Sequence, residues 1–337
     1  MGYRILPLVF LLVGCSSGGN GGTDGGDDGG GGCEDCIEGL GVSKADLVSF
    51  LGGREGVLVW VDAGSSIRVL DFREEEPQVR LLSNDMDCIN PLISPDGTRV
   101  VYSQGSANTA KNIYVRALSG GDATHVAVGD VGYWHFSNGH EHIVYCDWAE
   151  KQTDGEGGST FQQRITTGGV TLEGDYIAIH DRAMDGGPNA DLTWLGQVYE
   201  HLWAHNLQTG ADYPTDKFFL MDQSAADHQS CNGSMAPDDS GRFMCLVIPH
   251  DYVRVYTHDS QSDTFLQTSE FQLPEDMAEW EFPDWSTDPD YFTAILRGSN
   301  LKNRLFVVKM AEGDLVPERL EITGEQTGQT YSHLYLE

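Results

Sequence analysis

The chain has 337 residues, with 20 Lys and Arg against 52 Asp and Glu, and a formal net charge of −32. A field this negative repels polyanions, so neither nucleic acid nor an anionic lipid surface is expected as a partner. Acidic, lysine-poor surfaces also suit high-salt surroundings, so charge alone does not choose between a solvated shell and a cation-binding role.

The first residues read MGYRILPLVFLLVGCSSGG, with Arg4 ahead of an apolar run from Ile5 to Val13. That run is far short of the roughly 20 residues a membrane-spanning helix needs. A basic start, an apolar core and small residues before a cut describe a secretory signal. Leu12-Val13-Gly14-Cys15 resembles the lipobox of bacterial lipoproteins. The resemblance implies a signal peptide over 1–14, a diacylglycerol thioether on Cys15 and an acylated, palmitate-type amine. Several acyl chains anchor stably where one binds only marginally. Ser16 after the Cys, where inner-membrane retention would want Asp, implies the outer membrane. The competing reading is an ordinary secretory signal with an incidental Cys. Cleavage removes Arg4 and takes the charge to −33.

Residues 16–32, SSGGNGGTDGGDDGGGG, hold no apolar side chain and can bury nothing, so 15–32 is expected to be a lipidated flexible tether. Its root-mean-square span of roughly 23 Å would lift a domain clear of lipid headgroups. Residues 33–53 form an N-terminal extension with Cys33-x-x-Cys36 and a short helix expected over Ser43–Leu51. Without a second such pair, the CxxC reads better as a structural disulfide than as a zinc or redox half-site. The six cysteines after Cys15 allow three disulfides in an oxidising envelope, and Cys231–Cys245, flanking one hairpin, is the second pairing expected.

From residue 54 onward a turn-then-strand unit repeats. ISPDGTRVVYS (93–103) is followed by FSNGHEHIVYC (136–146), LEGDYIAIH (172–180), APDDSGRFMCLV (236–247) and WSTDPDYFTAIL (285–296). A further strand follows in most units: NIYVRAL, HLWAHNL, YVRVYTH and RLFVVKM. Units of roughly 40–50 residues with four short strands are the signature of propeller blades. Six blades fit 54–337 better than seven, and 147–172 fits worst, so a missing strand is expected in that blade. The first unit lacks an inner strand, and the chain ends in TYSHLYLE, a lone alternating strand. Tyr331–Leu336 is therefore expected to complete the first blade and close the ring, which removes two open edges. The fold class is all-β, a six-bladed β-propeller with the C-terminal strand closing the first blade. The stretch NPLISPDGTRVVYSQG…NIYVRALSGGDATHVAV resembles the TolB-type propeller repeat, well in one blade, partly over 236–258 and 280–310, and faintly elsewhere.

A site is expected on the face carrying the long loops, over the central channel. Residues just before the inner strands should line its mouth: Asp87 and Asn90, Asp130 and Tyr133, Thr167, His228 and Asn232, Glu279 and Glu281, and Tyr331 and His333. Of these, Asp87, Asn90, Tyr133, His228, Asn232, Glu281 and His333 are the ligand-binding candidates. The ring is net acidic, so a divalent cation in the channel, or a sugar stacked on Tyr133 or Trp280, would suit it. A polar, water-filled channel would look the same. No cofactor is otherwise implied. His201 and His205 are i,i+4 on a strand, about 13 Å apart, and cannot share a metal without help, so packing or a surface position is expected for them. Asp185–Asp191 lacks the alternating acids and closing Glu of an EF-hand loop.

G-x-S-x-G, H-E-x-x-H and phosphate-loop patterns are absent from the sequence. The sequence reading is an anchored envelope lipoprotein, monomeric, whose propeller binds an envelope protein, a peptide or a glycan. The alternative is a metal-assisted polysaccharide lyase or hydrolase using His228, His333 and Glu281. A third is an acidic body that is soluble in salt and has no pocket.

Overall fold

The structure, a computed structural model, describes residues 35–83, 85, 87–105, 111–146, 158–197, 202–220, 230–324 and 330–337. Cys15, Cys33, His201 and His228 lie outside these residues, as does much of the long-loop sequence.

Short runs of β-branched and aromatic residues form six sheets in chain order. The first holds β1 (Gly56–Val61), β2 (Ile67–Asp71) and β3 (Val79–Ser83). The second is β4 (Cys88–Ile93), β5 (Arg99–Gln104), β6 (Lys111–Ala117) and β7 (Thr124–Gly129). The third is β8 (Gly132–Ser137), β9 (His140–Cys146), β10 (Thr160–Ile165) and β11 (Leu172–His180). A fourth has three strands, β12 (Trp194–Gln197), β13 (Trp203–Asn206) and β14 (Ala211–Tyr213). The fifth is built on β16 (Ser230–Met235), β17 (Arg242–Val247), β18 (Tyr252–Asp259) and β19 (Thr264–Gln272). Against β19 lie the short parallel strands β15 (Phe218–Phe219) and β23 (Gly313–Leu315). The sixth is β20 (Glu279–Trp285), β21 (Tyr291–Arg297), β22 (Asn303–Lys309) and β24 (Arg319–Glu321). The last strand, β25 (Thr330–Leu336), returns to pair antiparallel with β1, from Gly56 opposite Leu336 to Val61 opposite Thr330. The chain is a six-bladed β-propeller closed by its C-terminal strand.

The closing strand carries its own packing. Leu334 is fully buried, and it shares a core cluster with Leu58, Ile295 and Val307 from the two blades it joins. The helix α1 (Lys44–Phe50) adds Leu47 and Leu51 to the same cluster. Ser43 starts it as N-cap, its hydroxyl accepting the Asp46 N–H at 3.1 Å. The extension therefore seals the seam between the first and last blades. Gly97 of the SPDG turn sits at φ +66°, and a Cβ there would come within 2.3 Å of the Tyr335 ring. That turn needs glycine for its backbone and for the closing strand beside it.

Polar links join neighbouring blades. Arg99, 1% exposed, binds both carboxylate oxygens of Glu141 at 2.7 Å and lies 4.8 Å from the Trp134 ring centre. Trp134 Nε1 donates to the Leu92 carbonyl at 2.8 Å. Between the fifth and sixth blades the device recurs: Arg242 lies over Trp285, whose Nε1 donates to the Ser234 carbonyl at 2.9 Å.

Three strand expectations are corrected. Residues 172–180 do not open a blade; they are β11, the outer strand of the third. That blade is complete, and the fourth is the short one. Its inner position is taken by 186–188, where Gly186 N–H donates to the Gly196 carbonyl, Gly196 N–H donates to the Gly187 carbonyl, and Pro188 bridges Leu195. Within DRAMDGGPNADLTWLGQVYE, 186–188 and 194–197 thus belong to the blade rather than to a loop. In the same stretch, Asp191 Oδ1 accepts from Asn189 Nδ2 and the Thr193 N–H, both at 2.9 Å, which is a turn bond pattern and not a calcium loop.

The expected Cys231–Cys245 disulfide does not form. Cys231 stands opposite Leu246, so its neighbour Cys245 points to the other face of the sheet. The two thiols belong to different core clusters. Cys36 is disulfide-bonded.

If closure by β25 holds the ring, deleting residues 328–337 should abolish cooperative thermal unfolding followed by near-ultraviolet circular dichroism. A truncated chain melting at the full-length temperature would show that the ring closes elsewhere.

Candidate functional site

Four inner strands bend at the same point. β4, β16, β20 and β25 each carry a bulge, and the residue in the left-handed region is Asn90 (φ 47°), Asn232 (φ 42°), Phe282 (φ 46°) or Tyr331 (φ 39°). Pro91 and Pro283 follow two of them, where a missing N–H breaks no ladder bond. Bulges re-aim side chains and gather at rims and sites. Phe282 and Tyr331 meet across the seam with ring centres 4.2 Å apart.

Beside this row, at the joint of the fifth and sixth blades, ionisable groups converge. Glu279 and Glu281 come from β20, Arg297 ends β21, and His250 sits in the β17–β18 loop. Arg297 Nη2 binds Glu281 Oε1 at 2.6 Å, and its Nη1 binds Glu279 Oε1. His250, held at φ +80°, places Nδ1 3.8 Å from Glu279 Oε2, too long for a hydrogen bond, while Nε2 is 3.2 Å from Cys231 Sγ. Ligand atoms of His250, Glu279 and Glu281 all lie within 4.8 Å of one another. Glu281 is 2% exposed, and its Oε2 is buried without a hydrogen-bond partner among the described residues. Burial pushes its carboxyl up to about 7, with Glu279 adding to the rise and Arg297 opposing it. Burial lowers the His250 imidazole, keeping it neutral.

Deeper in the channel wall, Ser234 Oγ donates to Asp284 Oδ1 at 3.0 Å. Enclosure by the ring raises the Asp284 carboxyl to about 7. His333 is buried, accepts the Ile93 N–H on Nδ1 at 3.1 Å, and is depressed by burial to about 3. Tyr133 donates to the Asp185 carbonyl at 2.8 Å, and burial holds its phenol well above the usual range. Gly187, at φ +70°, lets the chain pass this ring, since a Cβ would come within 2.6 Å of it.

The candidates separate accordingly. Asn90, Asn232 and Tyr331 occupy the bulge row, and Glu279 and Glu281 the carboxylate pair. Asp87 is exposed at the start of β4. Asp130 is occupied by Lys111, 2.5 Å away. Thr167 is misplaced, because it sits in the β10–β11 turn on the opposite face, where Gly168 N–H meets Glu141. Trp280 is fully buried in the core and offers no stacking face. His333 stands two positions beyond its bulge residue and Glu281 one before, a separation of about 10 Å along the channel. The two therefore sit at different levels of their inner strands, and His228, the third member of the lyase arrangement, lies outside the described residues. His250, Arg297 and Cys231 were missed as site residues. The loop PHDY is short, and its His was recognisable only by placing it on the face next to β20.

His201 lies outside the described residues, and His205 has Asp212 and His180 beside it. Its Nδ1 is 2.7 Å from Asp212 Oδ1, and its ring centre is 4.1 Å from that of His180. His180 Nδ1 accepts the Arg182 N–H at 3.0 Å. That bond puts the proton on Nε2, which the ring would have to lose to ligate a metal there.

No family model matches the chain. No curated protein matches it either. Solved structures do. TolB from Acinetobacter baumannii is 16% identical, covers 87% of this chain and 70% of its own, and has a TM-score of 0.49. An oligogalacturonate lyase in complex with manganese is 12% identical, covering 74% and 69%, with a TM-score of 0.42. A structure of a nidogen/laminin complex is 11% identical, covering 83% and 98%, with a TM-score of 0.47. TolB is thus among the structural neighbours of a chain whose SPDG repeat resembles the TolB type. Among the described residues, no helix is long and apolar enough to cross a membrane. A fold of this kind does not carry a function, which must be argued from the site.

The Asp284 carboxyl gives a pH test. Raised from 3.8 to about 7, it keeps its proton in the folded state after the unfolded chain has lost it. Stability from this group is full below about pH 4 and is lost as pH rises through 7. Asp284→Asn should therefore match the parent in urea unfolding at pH 4 and exceed it by about 1–3 kcal/mol at pH 8. An equal difference at both values would place the ionisation elsewhere.

Proposed function

We propose that this is a lipid-anchored envelope protein whose propeller is a binding module, offering the bulged mouth of its channel to an envelope protein, a peptide or a glycan. The observation that carries the reading is the row of left-handed bulge residues Asn90, Asn232, Phe282 and Tyr331, set beside a carboxylate pair that is only partly satisfied. A backbone strained at one level of four blades, with polar and aromatic side chains there, favours a ligand over a merely hydrated channel. Lipid attachment rests on Leu12–Cys15, and the Gly-rich segment after it gives the reach to hold the body off the outer membrane.

A metal-assisted polysaccharide lyase or hydrolase at the same mouth is the second reading. Glu281 favours it, since a carboxyl near 7 suits proton transfer at neutral pH. The depth of His333 counts against it.

Two experiments test the proposal. Cys15→Ala should leave the protein soluble and unlabelled by radioactive palmitate; retention in the membrane fraction would defeat the anchor. A photo-crosslinking residue in place of Asn90 should give adducts in living cells, and the same residue at Thr167 should not. Adducts from Thr167 alone would put the binding surface on the opposite face.

A further inference from the structure

We infer that His250 Nδ1, Glu279 Oε2 and Glu281 Oε2 form a binding site for a divalent transition-metal ion of the manganese or zinc class. The inference deepens the mouth reading above and rests on it for its use. Its chemistry comes from three features of the cluster.

The first is what Arg297 leaves over. Its guanidinium takes Oε1 of both glutamates, so each keeps a second oxygen. For Glu281 that oxygen is buried and has no partner among the described residues. The one guanidinium can balance only one of the two carboxylates, so a cation would neutralise the second when Glu281 ionises at this buried place.

The second is the orientation of His250. His250 Nε2 is 3.2 Å from Cys231 Sγ, and in the tautomer whose Nε2–H donates to that sulfur the Nδ1 lone pair faces Glu279 Oε2 at 3.8 Å. Two acceptors facing each other repel unless something positive lies between them. Two donors each about 2–2.3 Å from one ion stand roughly 3–4 Å apart, so the spacing suits a shared metal. The Cys231 contact and the Arg297 fork supply the outer bonds that orient metal ligands.

The third is the donor set. One imidazole and two carboxylates suit manganese or zinc better than calcium, which prefers oxygen throughout. Three protein ligands leave coordination positions open, and the site lies beside the bulge row of the channel mouth. A hydroxyl or carboxylate oxygen from a bound ligand could complete the shell.

The test is titration of the full-length protein with Mn²⁺, following loss of the free-ion electron paramagnetic resonance signal, with Zn²⁺ as competitor. One Mn²⁺ per chain is expected, displaced by Zn²⁺. Glu281→Gln keeps the shape and His250→Asn tolerates the left-handed backbone, so both should fold, and each should weaken binding by at least about tenfold. His180→Ala, in the other histidine cluster, should bind as the parent does. No signal loss at millimolar Mn²⁺ would overturn the inference. So would binding that survives both mouth variants with unchanged circular dichroism, or binding lost in His180→Ala. The titration can fail while the Asn90 adduct forms, and the reverse, so the cation and the mouth are judged separately.

Discussion

The pairing of β25 with β1 is the interaction on which the rest of the molecule depends. A propeller blade buries its faces only against its neighbours, so a ring with a missing inner strand would expose two edges and the seam between its first and last blades. Here the seam is filled three ways. Backbone bonds run from Gly56 to Val61, Leu334 and Leu336 enter the core, and α1 covers the outside with Leu47 and Leu51. The closure also positions the mouth. Thr293 Oγ1 donates to the Ser332 carbonyl at 2.8 Å, which ties β25 to the sixth blade, and Tyr331 then reaches Phe282. Half of the bulge row thus depends on the last residues of the chain.

Between the other blades, burial of apolar side chains supplies the energy and polar links supply the alignment. Arg99 and Glu141 are both nearly out of water, so the attraction between them offsets desolvation costs of similar size. What the bidentate geometry adds is position: it lets the second blade meet the third in one register. Arg242 over Trp285 repeats that logic where the fifth blade meets the sixth, next to the site.

The architecture was legible wherever a turn motif stood ahead of a clean strand. SPDG with VVYS, and DDSGR with FMCLV, gave blades in place, and the unpartnered TYSHLYLE gave the closure. Residues 172–180 misled because an outer strand with Tyr176 and Ile177 exposed has the same apolar spelling as a buried one. The fourth blade was hidden because its inner position is filled by Gly186, Gly187 and Pro188, which carry no strand signal. Their backbone packs against Gly196 and the Tyr133 ring, a closeness that only glycine permits. In the site, the acids of β20 could be read from their place before an inner strand. His250 could not, because its role comes from a loop folding over the next blade.

The cost of burying Glu281 is not one that the fold imposes. Counting from the bulge residues, the position one before Phe282 corresponds to Ile89 on β4, Cys231 on β16 and Thr330 on β25. An apolar, a thiol and a hydroxyl side chain all occupy that place without disturbing the bulge, so the ring accepts it without a carboxylate. The carboxylate therefore belongs to the site. Two copies of this one position, Cys231 and Glu281, flank His250, the first touching its Nε2 and the second grouped near its metal-ligating side. The repeat supplies equivalent places around the channel, and one joint, between the fifth and sixth blades, fills two of them with groups that converge on a single imidazole. A site arises at that joint because the symmetry of the scaffold is broken there by chemistry, while the backbone keeps it.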